Sequence, residues 1–260
     1  MTPFNFLSIS SLWIAFSASL GPVLLCQIYG MPLYWWQPIT VFLVTFAIYS
    51  LDKVSGSKED LFNTPDRAVL AGWPIKPMAI CAYLAAIILV AANDSSKLTY
   101  VLVPGIAGTL YTARIGSIRP KDLPGCKNLI VAGATAICHA GLVGGPLEAY
   151  LLIFVWIGAG TIFSDLRDIR GDAAHGVKTL PVLLGRTKTL AFLAMLSLVL
   201  YALSPIVAVI VFSLIWYFRK ERDNLDYDLL VDGWMIWSLA LIYLYEYQQA
   251  LFVSMVYPHV

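Results

Sequence analysis

No Asp, Glu, Lys or Arg occurs before Asp52, and beyond it apolar blocks alternate with short stretches that hold nearly all the charge. A hydrocarbon core of about 30 Å is crossed by about 20 mostly apolar helical residues, and the blocks match that ruler. Two spans are predicted within residues 1–51, parted by the aromatic turn "YGMPLYWWQP", whose rings suit a headgroup interface. Further spans are predicted at 76–93, 98–113, 128–144, 147–164 and 233–256. The block 189–218 is long for one span and short for two, with Ser204 and Pro205 at its centre.

Charge placement decides that block. Read as a hairpin, it puts Lys53, Arg67, Lys127, Lys178 and the cluster Arg219, Lys220 and Arg222 on one side of the membrane, and leaves Lys97 opposite. The expectation is an all-α polytopic bundle of about nine transmembrane helices, forming one domain over 1–260 around a central apolar cavity. Its N-terminus and polar loops would be cytoplasmic and its C-terminus outside. Composition agrees: 59% of residues are hydrophobic and 13% charged, too apolar for a soluble domain of this length. A net charge of +1 excludes a nucleic-acid footprint. Cys26, Cys81, Cys126 and Cys138 form no C-x-x-C pair and are expected to be buried apolar residues. The uncharged N-terminus lacks the positive region of a cleavable signal peptide.

The acidic residues gather on the side that carries the lysines and arginines. In "FSDLRDIRGDAAHGVKTLPVLLGR", Asp165, Asp168 and Asp172 stand at i, i+3 and i+7, one face of a helix at the end of a span. Like charges there repel unless cations hold them, and hard oxygen donors one turn apart suit Mg²⁺ bridging to a phosphorylated ligand. "YSLDKVSGSKED" repeats the device with Asp52, Glu59 and Asp60, but Gly56 stands where a further ligand would complete the face. Arg67, Lys127 and Lys178 are candidates to neutralise a diphosphate. By contrast, "RKERDNLDYD" reads as an ordinary wet loop.

"SDLRDIRGDAAHGVKTLPVLLG" resembles the second aspartate-rich motif of the UbiA superfamily of intramembrane prenyltransferases, and "LYTARIGSIRPKDLPGCKNLIVAG" is similar to that family's segment between helices four and five. In the family's first motif Asp52 would take an asparagine position, Gly56 the middle aspartate, Asp60 the last aspartate and Arg67 the following arginine. "EDLFNTPDR" is similar to a divergent branch that includes terpene cyclase-like enzymes.

The resemblance implies a Mg²⁺-dependent enzyme that ionises a prenyl diphosphate. Asp165, Asp168, Asp172, Asp52 and Asp60 would be catalytic, and with Glu59 would hold the metal. Arg67, Lys127 and Lys178 would bind diphosphate, and Tyr49, Tyr111 and Asn128 would contact substrate or cation. An aromatic, quinone-precursor or lipid acceptor would capture the cation in a transferase; the chain's own double bonds would capture it in a cyclase. A binding or transport protein with acidic loops is the non-catalytic alternative. Three isolated groups have two readings each. Glu246 is a functional intramembrane carboxylate or one bonded to a neighbouring helix, His139 a satisfied core histidine or a proton acceptor, and His175 a base near the diphosphate or a loop residue.

Gly56→Asp tests the register of the first motif. Restoring a carboxylate there is expected to lower the Mg²⁺ concentration needed for half-maximal turnover; an unchanged metal titration and product would mean the register is wrong.

Overall fold

A computed structural model describes residues 3–54, 62–65, 73–112, 120 and 123–256, and all regular structure among them is helical. The helices are α1 (Pro3–Ile9), α2 (Leu12–Tyr29), α3 (Trp36–Val54), α4 (Ile75–Asn93), α5 (Leu98–Thr112) and α6 (Cys126–Val143). They continue with α7 (Leu147–Ala174), α8 (Leu180–Leu184), α9 (Arg186–Leu203), α10 (Pro205–Tyr217), α11 (Asn224–Leu230) and α12 (Trp234–Val256). Each apolar block predicted as a span is helical. Ser204 is extended, with φ −160° and ψ 105°, and divides the long block into α9 and α10. Pro205 is the physical reason, since it restricts the preceding residue and has no N–H to continue α9.

The span count is coarser than the helix count. Among the described residues, five helices (α2, α4, α6, α7 and α9) are long and apolar enough to cross a membrane. A sixth span results if α11 and α12, bent by 47°, are taken together. Helix α10 is short, with 13 residues, the described residues of α5 number 15, and the ends of α3 carry Gln37, Asp52 and Lys53. Many large apolar side chains face outward, among them Leu198, Phe212 and Trp216. A lipid-facing surface accounts for them, where a soluble monomer would bury such a patch.

The core is built around α7. Trp156 and Phe163 of that helix are fully buried among Leu24, Leu193, Phe218 and Tyr227, with Trp156 packed on Trp234 and Phe218 stacked on Tyr227. A second apolar cluster joins α3, α4, α5 and α6 through Val41, Val90, Val101 and Leu142. A short turn returns α6 into α7, with Gly144 at φ 72°, a left-handed conformation that favours glycine. Cys26 and Cys138 are buried as expected; Cys81 is exposed on the outer face and Cys126 half-buried at the start of α6.

Polar ends are segregated. At one end of the bundle the α6 start, the α7 end, the α9 start and α11 are tied by Lys127 to Asp165, Arg167 to Asp228, and Arg186 to the Phe218 carbonyl. At the other end Gln37 and Lys97 donate to the Leu142 carbonyl, and Gln27 donates to Glu246. Glu246 is therefore bonded to a neighbouring helix.

A Cβ at Gly160 would lie 2.4 Å from the Trp234 ring, which is itself wedged against Trp156 and has little freedom to move. Gly160→Ala is expected to destabilise the bundle by about 1–3 kcal/mol, read as a lower melting temperature of the purified protein in detergent.

Candidate active site

A cavity of about 530 Å³ opens among α3, α4, α5, α6 and α7. Along most of its length the wall is apolar, with Ile48, Leu84, Pro104, Ile130 and Cys138. Its polar end is lined by Asp52, Lys53, Lys127, Arg167, Asp168, Asp172, Asp228 and Asp232. One chamber therefore presents charges of both signs at one end and a hydrocarbon-like wall beyond.

The helical spacing predicted from sequence holds in the structure: Asp165, Asp168 and Asp172 all lie on α7 and all are buried. Their partners differ. Asp165 is fully buried, receives Lys127 Nζ at 2.6 Å and Asn128 Nδ2 at 3.0 Å, and does not line the cavity. Lys127 and Asn128 are neighbours at the start of α6, so one turn of that helix satisfies both carboxylate oxygens. Asp168 is forked by Arg167, Nε to Oδ1 at 2.9 Å and Nη2 to Oδ2 at 3.2 Å, while Nη1 of the same guanidinium reaches Asp228 at 2.9 Å. Asp172 Oδ2 is buried with no hydrogen-bond partner.

These oxygens fit a hard divalent cation by chemistry, because Asp52, Asp168 and Asp172 line one cavity end and offer only the donors Mg²⁺ prefers. The orphaned Asp172 oxygen fits too, since a buried polar atom without a partner is costly until something binds it. Among the described residues, no three carboxylate, histidine or cysteine side chains are gathered closely enough to hold a metal by themselves. Lys127 and Arg167 instead hold two of the three aspartates of the stripe.

The other predicted residues fall as follows. Tyr49 lines the cavity, and Asn128 is buried beside Asp165, bonded to Thr161 as well. Lys178 is exposed in the turn after α7 and does not line the cavity. Gly56, Glu59, Asp60, Arg67 and the side chain of Tyr111 lie outside the described residues. His139 is buried, with Nδ1 2.9 Å from the Thr135 carbonyl and Nε2 3.1 Å from that of Ala18. His175 bonds back to the Gly171 carbonyl and meets the edge of Phe62.

Sequence reading missed three contributors. The stretch "RKERDNLDYD" is more than a wet loop, because its Asp228 accepts from Arg167 and from Ser8 of α1. Arg167 was visible between two motif aspartates, but its reach to α11 was not. Asn63 accepts from the Gly171 amide at 3.0 Å, and its own carbonyl accepts from Asn224. A Cβ on residue 171 would meet Asn63 at 2.1 Å, which explains the glycine inside the second motif.

Removing Lys127 would strand the fully buried Asp165 carboxylate. Lys127→Met is expected to cost about 3–5 kcal/mol of stability, and adding Asp165→Asn to it is expected to recover most of that loss. Chemical denaturation of both variants in detergent checks this.

Comparison with known proteins agrees with the geometry. The UbiA prenyltransferase family model matches residues 7–219. Curated relatives include the digeranylgeranylglyceryl phosphate synthase of Natronomonas pharaonis, 30% identical over 56% of this chain and 55% of that protein. The protein of the same name from Methanothrix thermoacetophila is 27% identical over 65% of this chain and 67% of that one. The chain spans about half the length of most of the curated relatives it matches. Among solved structures, a UbiA homolog from Archaeoglobus fulgidus bound to GPP and Mg²⁺ superposes with a TM-score of 0.58 at 18% identity, covering 90% of this chain and 86% of that one. The same homolog bound to Cd²⁺ gives 0.62 at 16% identity, covering 91% and 98%. At that identity the likeness shows a shared fold, and with the match over residues 7–219 it follows that this chain belongs to the UbiA prenyltransferase family.

Proposed function

We propose that the chain is a single-domain, Mg²⁺-dependent intramembrane prenyltransferase that transfers the prenyl group of a prenyl diphosphate to an acceptor. The observation that carries this reading is the cavity that joins an acidic and basic end to a long apolar wall. A prenyl diphosphate has the same division, with its charge at one end and its hydrocarbon at the other. Among acceptors, the name of the curated relatives favours a lipid built on glyceryl phosphate over an aromatic ring or quinone precursor. The polar end would face the cytoplasm, together with the N-terminus, as the positive-inside bias argues.

Asp52, Asp168 and Asp172 would hold Mg²⁺, joined by Glu59 and Asp60 from the first motif. Bound Mg²⁺ would supply charge neutralisation for the departing diphosphate. Arg67 and Lys127 would bind the same diphosphate, and Arg167, which lines the same cavity end, would take up phosphate oxygens on releasing Asp168; Lys178, exposed and outside the cavity lining, would not belong to that set. Asp165 acts through others: it fixes Lys127 and Asn128 from below. The apolar wall would exclude water from the allylic carbocation, and the ring of Tyr49, which lines the cavity, would stabilise its charge.

Purified protein is expected to consume a C20 prenyl diphosphate in the presence of a glyceryl phosphate lipid, to stop in EDTA and to resume with Mg²⁺. Asp172→Asn is expected to lower kcat by about 100-fold or more without unfolding the protein. Undiminished turnover in EDTA, or by the variant, would remove this reading. Release of a hydrocarbon without acceptor would replace transfer by cyclisation.

A further inference from the structure

The apolar part of the chamber is closed at the end away from the charges. Its wall stops at Val44 on α3, Leu84 on α4, Pro104 on α5 and His139 on α6, and the α6 wall from Lys127 to Cys138 spans about 17 Å of helix. Beyond that level the space is filled: Val41, Val90 and Val101 are fully buried in one apolar cluster. Tyr83 of α4 packs against this cluster and also lines the chamber. It therefore stands between the hydrocarbon-like space and the packed core behind it.

Two residues of α5 hold the ring in that position. The Tyr83 hydroxyl donates to the Val101 carbonyl at 2.7 Å, the kind of partner that a tyrosine needs in apolar surroundings. The same end of the ring lies over Gly105, where a Cβ would stand 1.8 Å from Oη and 2.4 Å from Cζ. Gly105 is thus a notch, and α5 admits the ring only because that position has no side chain. Gly108, one turn along, also lines the chamber, so α5 contributes little bulk and the ring crossing from α4 does the closing.

We propose that Tyr83, seated on Gly105, limits the length of prenyl chain that the chamber accepts. This rests on the prenyltransferase reading above and adds to it the residue that selects among substrates of that class. A chain that ends short of the ring is housed without disturbing it. A longer one has to displace the ring, break its bond to the Val101 carbonyl and press on a core that is already packed, and small increments of volume are felt in such a core. Added prenyl units are therefore tolerated up to the ring and rejected beyond it.

The test measures, by calorimetry, binding of non-hydrolysable thiolodiphosphate analogues to the full chain in lipid nanodiscs with Mg²⁺. The series runs through dimethylallyl, geranyl, farnesyl, geranylgeranyl and geranylfarnesyl chains. Wild type is expected to bind the series up to one length and to bind the next about tenfold more weakly. Tyr83→Ala removes the ring and is expected to move that break outward by at least one prenyl unit. Gly105→Ala has the opposite sign, because its methyl group drives the ring off α5 and, with the core packed behind, into the chamber; the break is expected to move inward. The double variant has no ring for the methyl group to push, so its break is expected beyond that of wild type. Thermal melting confirms that each variant is folded, and Tyr83→Ala decides alone if Gly105→Ala does not fold.

A wild-type affinity with no break across the series, or a break that stays in place in Tyr83→Ala, would overturn the assignment. So would a double variant that breaks as early as Gly105→Ala, since the methyl group would then act without the ring. The same titrations separate the two levels. If wild type binds none of the analogues, the prenyltransferase reading fails and the length limit falls with it; if the analogues bind but the break does not follow the ring, only the role of Tyr83 fails.

Discussion

A carboxylate without solvent exposure at the end of an apolar bundle has to be neutralised where it stands, and the contact of Lys127 with Asp165 does this for the whole site. The pair joins the start of α6 to the last turns of α7, so the two helices that form much of the cavity wall are fixed at their charged ends. Arg167 extends the same logic one turn further along α7 by bridging Asp168 to Asp228 on α11. Taking one partner away from such pairs costs more than the pair itself contributes, because a buried charge is left alone. The acidic stripe is therefore fixed in place before any ligand arrives, with Asp172 keeping an oxygen available.

This arrangement separates two tasks that a bare row of aspartates would confuse. Asp165 lies outside the cavity lining and holds Lys127 and Asn128, whereas Asp168 and Asp172 line the chamber. The Gly171 amide donates to the Asn63 side chain, a hydrogen bond that ties the segment after α3 to the α7 end. The apolar remainder of the chamber needs no such care. Its wall is made of the same residue types that face lipid on the outside of α4 and α9, and a hydrocarbon chain meets similar surroundings in either place.

Much of the fold was legible because membrane insertion constrains sequence so strongly. Apolar blocks of the right length became helices, Pro205 ended one of them at Ser204, and charge collected at the end of the bundle where the site lies. Less was legible wherever a helix is short or bent. Among the described residues five helices, or six with the bent pair α11 and α12, are long and apolar enough to cross, so the structure supports a membrane bundle without fixing the number of spans at nine. The first aspartate motif beyond Val54 lies largely outside the described residues, and Gly56 keeps the question it raised.

By itself the sequence determined the helical class, the spacing that puts Asp165, Asp168 and Asp172 on one face, and the resemblance that names the family. Those features are local: a period of 3.6 residues and a bilayer thickness are both written along a single stretch of chain. Only the tertiary structure decided which aspartate faces the chamber and which is spent on Lys127, and only it brought Asp228 to Arg167, 61 residues before it in sequence, and Asp232 to the same cavity. Those choices rest on which side chains from distant helices arrive within hydrogen-bond reach, and no periodicity along one helix carries that information.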